Sequence, residues 1–271
     1  MKMSTDKGVA LVTGAARGIG RAIALKLAND GYNVAVNDLK TMEEELGKVV
    51  EEIKALGRNA CVVCADMSVE KDVAEMVQVV VKELGSLDVM VANAGILLVD
   101  NILDATVDNL DRVFGVNIRG VMLCYQYAAK QMIAQGRGGR IIVEPCVGRV
   151  TIGASSQAGK VGSRVLFSYS ATKFAVRGMT QSAAQELAKY GITVNAYAPG
   201  YTDTRMIAQI NQGIHASGGP SNLPKVIEET TPVGRAGTPE EIAALVSYLA
   251  SKEAAFVTGQ SMSINGGCFF D

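Results

Sequence analysis

The sequence predicts an α/β fold, a doubly wound parallel sheet within a single domain. Three observations carry that expectation. Short apolar runs alternate with helix-length amphipathic segments along the 271 residues. The apolar runs are near-continuous Val/Ala stretches, as in strands covered by helices on both faces. The first run opens into a glycine-rich loop that leads at once into a helical pattern.

Taken in order, residues 9–13 (VALVT) read as a strand, 18–30 as a helix ending at Gly31, 33–37 as a strand and 41–56 as a helix closed by Gly57. A strand at 60–65, a helix at 69–84 closed by Gly85 and a strand at 87–92 continue the series. Residues 106–134 and 167–190 are long helical patterns, and 192–197 (ITVNAY) is a strand. A helix at 239–250 starts at Thr238-Pro239 with Glu240 and Glu241, and 260–264 is the final strand. The loosest stretch is 205–237, where Gly213, Gly218, Gly219, Pro220 and Pro224 cluster without strong periodicity. It reads either as a lobe covering a site or as a plain surface excursion. No linker or low-complexity tract divides the chain, so 1–271 is expected to be one domain.

Composition narrows the function. With 26 basic and 27 acidic residues the formal charge is −1, which argues against a nucleic-acid groove or a membrane-surface patch. A single histidine, His215, excludes sites built on several imidazoles, so acid–base work falls to Tyr, Lys, Asp or Glu. The short polar start MKMSTDKG resembles no signal segment, and five sparse cysteines fit reduced thiols in a cytoplasmic protein. Cys61 and Cys64 form a CxxC inside an apolar strand run, where alternation sends them to opposite faces as core thiols. No second CxxC or nearby His completes a metal site, and none is expected.

After the first strand comes Thr13-Gly14-Ala15-Ala16-Arg17-Gly18-Ile19-Gly20, opening directly into a helix. Glycines at 14, 18 and 20 let the backbone turn tightly and approach a pyrophosphate at the positive helix end. Asp38 ends the second strand about 20 residues on, where a carboxylate can take ribose hydroxyls in a Rossmann-type dinucleotide site. That carboxylate would repel a 2′-phosphate and favours NAD(H), whereas Arg17 could attract one. Asp38 is the more position-specific signal, so NAD is expected, with NADP not excluded.

Downstream, Tyr169 and Lys173 stand four apart in SYSATK at the start of a helical pattern, which stacks both side chains on one face. A lysine ammonium beside a phenol favours the phenolate, so that Tyr can exchange a proton at working pH. YxxxK alone carries little information. Here, however, TGAARGIG, Asn93-Ala94-Gly95, Asn117 within FGVNIRG, Ser155-Ser156, YSATK and Pro199-Gly200 follow one another in an order that resembles the short-chain dehydrogenase/reductase family over the whole chain.

That resemblance implies Tyr169 as general acid/base and Lys173 as the group that tunes it and holds the nicotinamide ribose. It implies Ser156, thirteen residues before Tyr169, on the substrate oxygen and Asn117 holding a relay water. For cofactor binding it implies Gly14, Arg17, Gly18, Ile19, Gly20 and Asp38, then Asp66 on the adenine, Asn93 and Gly95. Tyr169, Lys173, Pro199, Gly200, Thr202 and Thr204 complete that set, although Thr202 stands where an aliphatic residue is usual. Asn265-Gly266-Gly267 resembles the family's last-strand segment, packed in a tetramer interface. Within the family, YSATKFAVRGMTQSAAQEL and PVGRAGTPEEIAALVSYLAS look most like diacetyl/acetoin reductases, also called butanediol dehydrogenases. A 3-oxoacyl carrier-protein reductase, a sugar-alcohol dehydrogenase and a non-catalytic redox sensor are the alternatives. Leu97, Leu98, Val161, Leu166 and Phe167 would form an apolar pocket for a small ketone, or ordinary core.

One segment departs from the family pattern. GR followed by β-formers occurs twice, at 139–142 and 148–152, an insertion of about nine or ten residues around 143–151. Because Ser156 must stand at a strand's carboxyl end, 149–155 is the expected strand, with 141–148 looping out at Pro145.

Overall fold

A computed structural model describes residues 6–144, 160, 162–163, 165–204 and 223–270. Seven parallel strands form one sheet in the order β3-β2-β1-β4-β5-β6-β7. They are β1 Val9–Thr13, β2 Asn33–Asp38, β3 Ala60–Cys64, β4 Val89–Ala92, β5 Gly139–Val143, β6 Ile192–Pro199 and β7 Ser261–Ile264. The helices between them are α1 Gly18–Asp30, α2 Glu43–Ala55, α3 Glu70–Leu84, α4 Val107–Phe114, α5 Val121–Gln135, α6 Phe167–Leu187, α7 Leu223–Thr230 and α8 Pro239–Ala250.

The sheet is the wall between two cores. One face packs Leu11, Met90, Ile141, Val143 and Val194 against α3, α5 and α6 through residues such as Val77, Met132 and Val176. The other packs Val12, Val36, Val91 and Ile142 against α1, α2 and α8 through Ile23, Leu27, Ile53 and Val246. Strands apolar on both sides are what this arrangement needs, and β1, β4 and β6 are buried along their whole lengths. α8 starts with a reciprocal cap: Thr238 Oγ1 accepts from Glu241 N, and the Glu241 carboxylate accepts from Thr238 N.

The chain runs from β1 outward to β3, then crosses back to place β4 on the other side of β1. At that switch the connections leave in opposite directions and open a crevice at the carboxyl ends of β1 and β4.

Two expectations are corrected. The strand beside β4 is Gly139–Val143, not 149–155. Its Ile141, Ile142 and Val143 are buried, and it pairs with β4 from Val89↔Arg140 to Ala92↔Val143 and with β6 from Gly139↔Ile192 to Val143↔Ala196. The slot between β4 and β6 takes one strand, and the β-formers that first follow the left-handed Gly136 stop of α5 fill it. Residues 149–155, like Ser155, Ser156 and His215, lie outside the described residues.

The 106–134 pattern is helical from Val107 to Gln135, with a π-turn over Gly115–Gly120 between α4 and α5. Cys61 and Cys64 do face opposite cores, but both are only half-buried, because β3 is the sheet's edge. Burial still pushes the Cys61 thiol up to about 11, which keeps it protonated and unreactive at neutral pH.

Candidate active site

The glycine loop lies at the switch between β1 and β4. Gly14 has φ +66°, and a Cβ there would come 2.9 Å from Asn93 Nδ2. At Gly20 a Cβ would lie 2.2 Å from the Gly14 carbonyl oxygen, so the first helical turn packs directly on the loop backbone. Arg17, extended and exposed, stands at the N-cap of α1 with no side-chain cap, and the first turn holds no acidic residue. Among the described residues no side chain caps α1 and no acidic residue lies in its first turn, so the positive end of this helix is open to an anion at the glycine loop. This is the environment a pyrophosphate requires. Ile19 is buried beneath the loop, and Thr204 Cγ2 would lie 3.7 Å from a Cβ on Gly18, which brings Thr204 to the same turn.

Asn93 ties the crevice together. Its Nδ2 donates to the carbonyls of Thr13 (2.8 Å) and Gly14 (3.3 Å), and its Oδ1 accepts from Tyr197 Oη at 2.9 Å. Sequence reasoning passed over Thr13 and Tyr197. Thr13 Oγ1 accepts from the N–H groups of Asn93 and Ala94, and a threonine closing the strand before a glycine loop was the available signal.

Asp38 closes β2 at the same edge of the sheet; its Oδ1 accepts from Leu39 N at 2.9 Å and its Oδ2 from Ala16 N at 3.4 Å. Asp66 stands just beyond the neighbouring β3, where its Oδ1 accepts from Ser68 N and Oγ. At the far side, Pro199 ends β6, and Gly200 abuts Asn265, whose Cα would be 2.8 Å from an added Cβ. Thr202 is buried, and its hydroxyl donates to the Gly200 carbonyl, so the side chain shapes the loop.

Tyr169 and Lys173 lie on the first turns of α6, both buried, at 1% and 4% exposure. Lys173 Nζ is 5.1 Å from the centre of the Tyr169 ring and donates to the main-chain carbonyl of Glu144 at 2.9 Å. The start of α6 is fixed by Asp100: its carboxylate accepts from Ser168 N at 3.1 Å and also bonds the Ser168 hydroxyl. An acidic group at this helix N-terminus also complements the dipole.

Asn117 sits inside the π-turn and is buried. Its Oδ1 accepts from Ile96 N and its Nδ2 donates to Ile96 O, each at 2.9 Å, with Thr172 Oγ1 at 3.3 Å. The amide is therefore committed to the loop after β4 and to α6. Gly95 lies in that loop, where an added Cβ would be 3.3 Å from Asn117 Oδ1 and 3.8 Å from Lys173 Nζ.

The apolar wall is partly as expected. Leu166 and Tyr169 cluster with Leu97, Val99 and Val165. Phe167 is 41% exposed, because its position on α6 turns it away from Leu166, and so it leaves the wall. Leu98 is half-buried outside that cluster, and Val161 lies outside the described residues. Tyr201 and Ile227 extend the wall, packing with Leu97, Val165 and Val226 of α7. Among the described residues, no group of three or more His, Cys, Asp or Glu could hold a metal ion.

Comparison with known proteins identifies the family. The family described as Enoyl-(Acyl carrier protein) reductase matches residues 14–268. A short-chain dehydrogenase/reductase of Armillaria gallica is 48% identical over 263 residues, covering 97% of this chain and 96% of that protein. The L-2,3-butanediol dehydrogenase of Corynebacterium glutamicum is 39% identical over 266 residues, covering 97% and 99%. The crystal structure of acetoin dehydrogenase from Salmonella typhimurium aligns with a TM-score of 0.81 at 31% identity over 96% of each chain. The chain belongs to the short-chain dehydrogenase/reductase family, oxidoreductases that act on CH–OH groups with a nicotinamide dinucleotide.

Proposed function

We propose that the protein interconverts a small ketone and its secondary alcohol, of the diacetyl/acetoin type, with NAD(H) and with Tyr169 as general acid/base. The observation that carries this reading is the Tyr169–Lys173 pair, buried beside an apolar wall and at the edge of a glycine-lined, anion-seeking crevice. The bound dinucleotide would supply or accept the hydride.

The chain's own residues do the rest. Gly14, Gly18, Ile19, Gly20 and Thr204 form the cradle for the pyrophosphate, with Arg17 at its rim. Asp38 takes the adenosine ribose hydroxyls, and Asp66 and Asn93 border the adenosine. Lys173 reaches the nicotinamide ribose and holds positive charge beside Tyr169, while Gly95, Pro199, Gly200 and Thr202 shape the floor. Tyr169 gives its proton to the oxygen as the carbonyl is reduced, and Ser156 donates a second hydrogen bond to that oxygen. Asn117 braces the Ile96 loop under Lys173 with its amide, so a relay water at this position would use its main-chain carbonyl.

The lobe at about 205–237 covers the substrate, a reading supported by Ile227 and Val226 of α7 packing on Tyr201, Leu97 and Val165. We further propose a cytoplasmic homotetramer. Exposed apolar residues on neighbouring elements, Ile102, Leu103, Val107, Met122 and Phe174, and Phe256 and Phe270 near the C-terminus, are suited to subunit contacts. The free thiols Cys61, Cys64, Cys124 and Cys268 suit a reducing compartment.

The acyl-carrier alternative draws on the description of the matching family. One experiment separates the readings: oxidation of NADH, with NADPH in parallel, against diacetyl, acetoin and an acetoacetyl thioester. Fast turnover of diacetyl or acetoin with NADH is expected. Preference for the thioester would replace the substrate class, and tight NADH binding without turnover of any carbonyl would replace catalysis by redox sensing.

A further inference from the structure

The end of β5 carries a group that the reaction proposed above does not use. Glu144 directly follows Val143, and its backbone is held on both sides: N donates to Ala92 O of β4 at 3.4 Å, and O accepts from Lys173 Nζ at 2.9 Å. The residue is 7% exposed, and Oε1 is buried without a hydrogen-bond partner. An acidic side chain is rarely placed this way, because a buried carboxyl oxygen without a partner has lost its water and gained no hydrogen bond in return. Alternation along β5 carries Glu144 to the side of Ile142 and Tyr197, under the edge of the crevice.

We infer that Glu144 is a positioning residue for the Tyr169–Lys173 pair: its carboxyl shares the field of the Lys173 ammonium with the phenol and so sets the pH at which Tyr169 ionises. This rests on Tyr169 being the acid/base of the proposed reaction.

The groups that face Glu144 are few among the described residues. From α6 comes Lys173, which stabilises its anion and lies 5.1 Å from the centre of the Tyr169 ring. From β6 comes Tyr197, fully buried, which donates its hydroxyl to Asn93. From β4 come only Ala92 and Asn93, which do not titrate.

Burial outweighs the help from Lys173 and pushes the Glu144 carboxyl up to about 7. Tyr197 is held well above the ordinary phenol range, first by burial and then by Glu144 and Tyr169, so it stays a neutral donor. Below neutral pH Glu144 is an uncharged acid and the whole charge of Lys173 acts on Tyr169. Above neutral pH Glu144 is an anion, which partly cancels that charge and disfavours a second negative charge on Tyr169. The two groups titrate as a coupled set, each proton lost making the next harder to lose.

The test follows the protonation of Tyr169 directly, in the full chain without substrate. Tyrosine labelled at Cζ reports phenolate formation by NMR, and the Tyr169 signal is assigned by its loss in Tyr169→Phe. Glu144→Gln, which keeps the shape and removes the charge, is expected to lower the Tyr169 midpoint by about one pH unit. Glu144→Asp is expected to stay close to wild type. In the active enzyme the acidic limb of alcohol oxidation should shift the same way. An unmoved or raised midpoint in Glu144→Gln overturns the proposal.

If Glu144→Gln does not fold, glutamate labelled at Cδ in the unaltered protein gives the answer. One carboxyl should titrate near neutral pH, with a second inflection where Tyr169 ionises. Titration of every glutamate in the ordinary acidic range overturns the proposal. Neither readout needs a substrate, so a failed ketone panel and a failed Glu144 effect are told apart.

Discussion

Asn93 and Glu144 stand at the ends of neighbouring strands, one residue past β4 and one past β5, and their side chains live by different rules. Asn93 is satisfied on both atoms: two loop carbonyls accept from its Nδ2, and Tyr197 donates to its Oδ1. Glu144 is at least as deeply enclosed, yet Oε1 has no partner. The first residue locks the sheet to the nucleotide loop and has one arrangement. The second places a titratable group beside Lys173, one of the pair proposed to move the proton. On the glycine-loop side the arrangement is fixed by hydrogen bonds, and on the side of β5 and α6 the proposed role is one of protonation.

The largest effect should come from the centre of the protonation side. Tyr169→Phe removes the hydroxyl that stands beside Lys173 at the apolar wall, and general acid–base catalysis contributes about 10²–10⁴-fold. Turnover should fall by at least that factor, while NADH binding, followed by quenching or enhancement of its fluorescence, stays near wild type because the glycine loop is untouched. Retained turnover would move the acid/base role off this residue.

Stability should separate Asn93 from Glu144. Asn93→Ala strips three hydrogen bonds and leaves the buried Tyr197 hydroxyl without its acceptor, a loss of about 3 kcal/mol by denaturant unfolding. Glu144→Gln should do the opposite as pH rises. The folded carboxyl sits near 7, above its unfolded value of 4.5, so the native state binds the proton more tightly. Its contribution is fully present below about pH 4.5 and lost as pH climbs through 7. By pH 8 wild type should have lost up to about 3 kcal/mol relative to the glutamine variant, and at pH 4.5 almost nothing. Parallel unfolding curves at both pH values would mean that Glu144 is not the buried titrating group described here.

This contrast also explains what the sequence could and could not reveal. Strand and helix order, the glycine loop and the Tyr169–Lys173 stacking depend on local periodicity and spacing, and they were legible. Which of two β-forming segments would fill the slot between β4 and β6 was not, because both carry the GR-plus-apolar pattern and the choice is made by the reach from Gly136 and by burial between two strands. The π-turn at Asn117 was hidden because the apolar spacing of 106–134 hardly changes when one turn widens. Glu144 looked like a loop acid beside Pro145, and only the three-dimensional placement of Lys173 on its carbonyl makes it part of the site.

The smallest effect belongs to the nucleotide side, where Asp38 and Arg17 give opposing signals for the cofactor. Asp38 is at the strand edge with both oxygens turned to main-chain donors, Ala16 and Leu39, which fixes its charge in place. Arg17 is exposed at the start of α1. A charge held by main-chain donors near a 2′-phosphate counts more than an exposed, solvent-screened one, by about 1–4 kcal/mol at 4 Å between surface and water-like dielectrics. Asp38→Ala should therefore shrink the preference of kcat/KM for NADH over NADPH by about ten-fold or more. Adding Arg17→Gln to that variant should take back part of the gain in NADPH use. If Asp38→Ala leaves the ratio unchanged while Arg17→Gln alone alters it, the exposed cation governs the choice. The nucleotide side would then depend on charge as the Glu144 side does, and the contrast between the two ends of the crevice would fail.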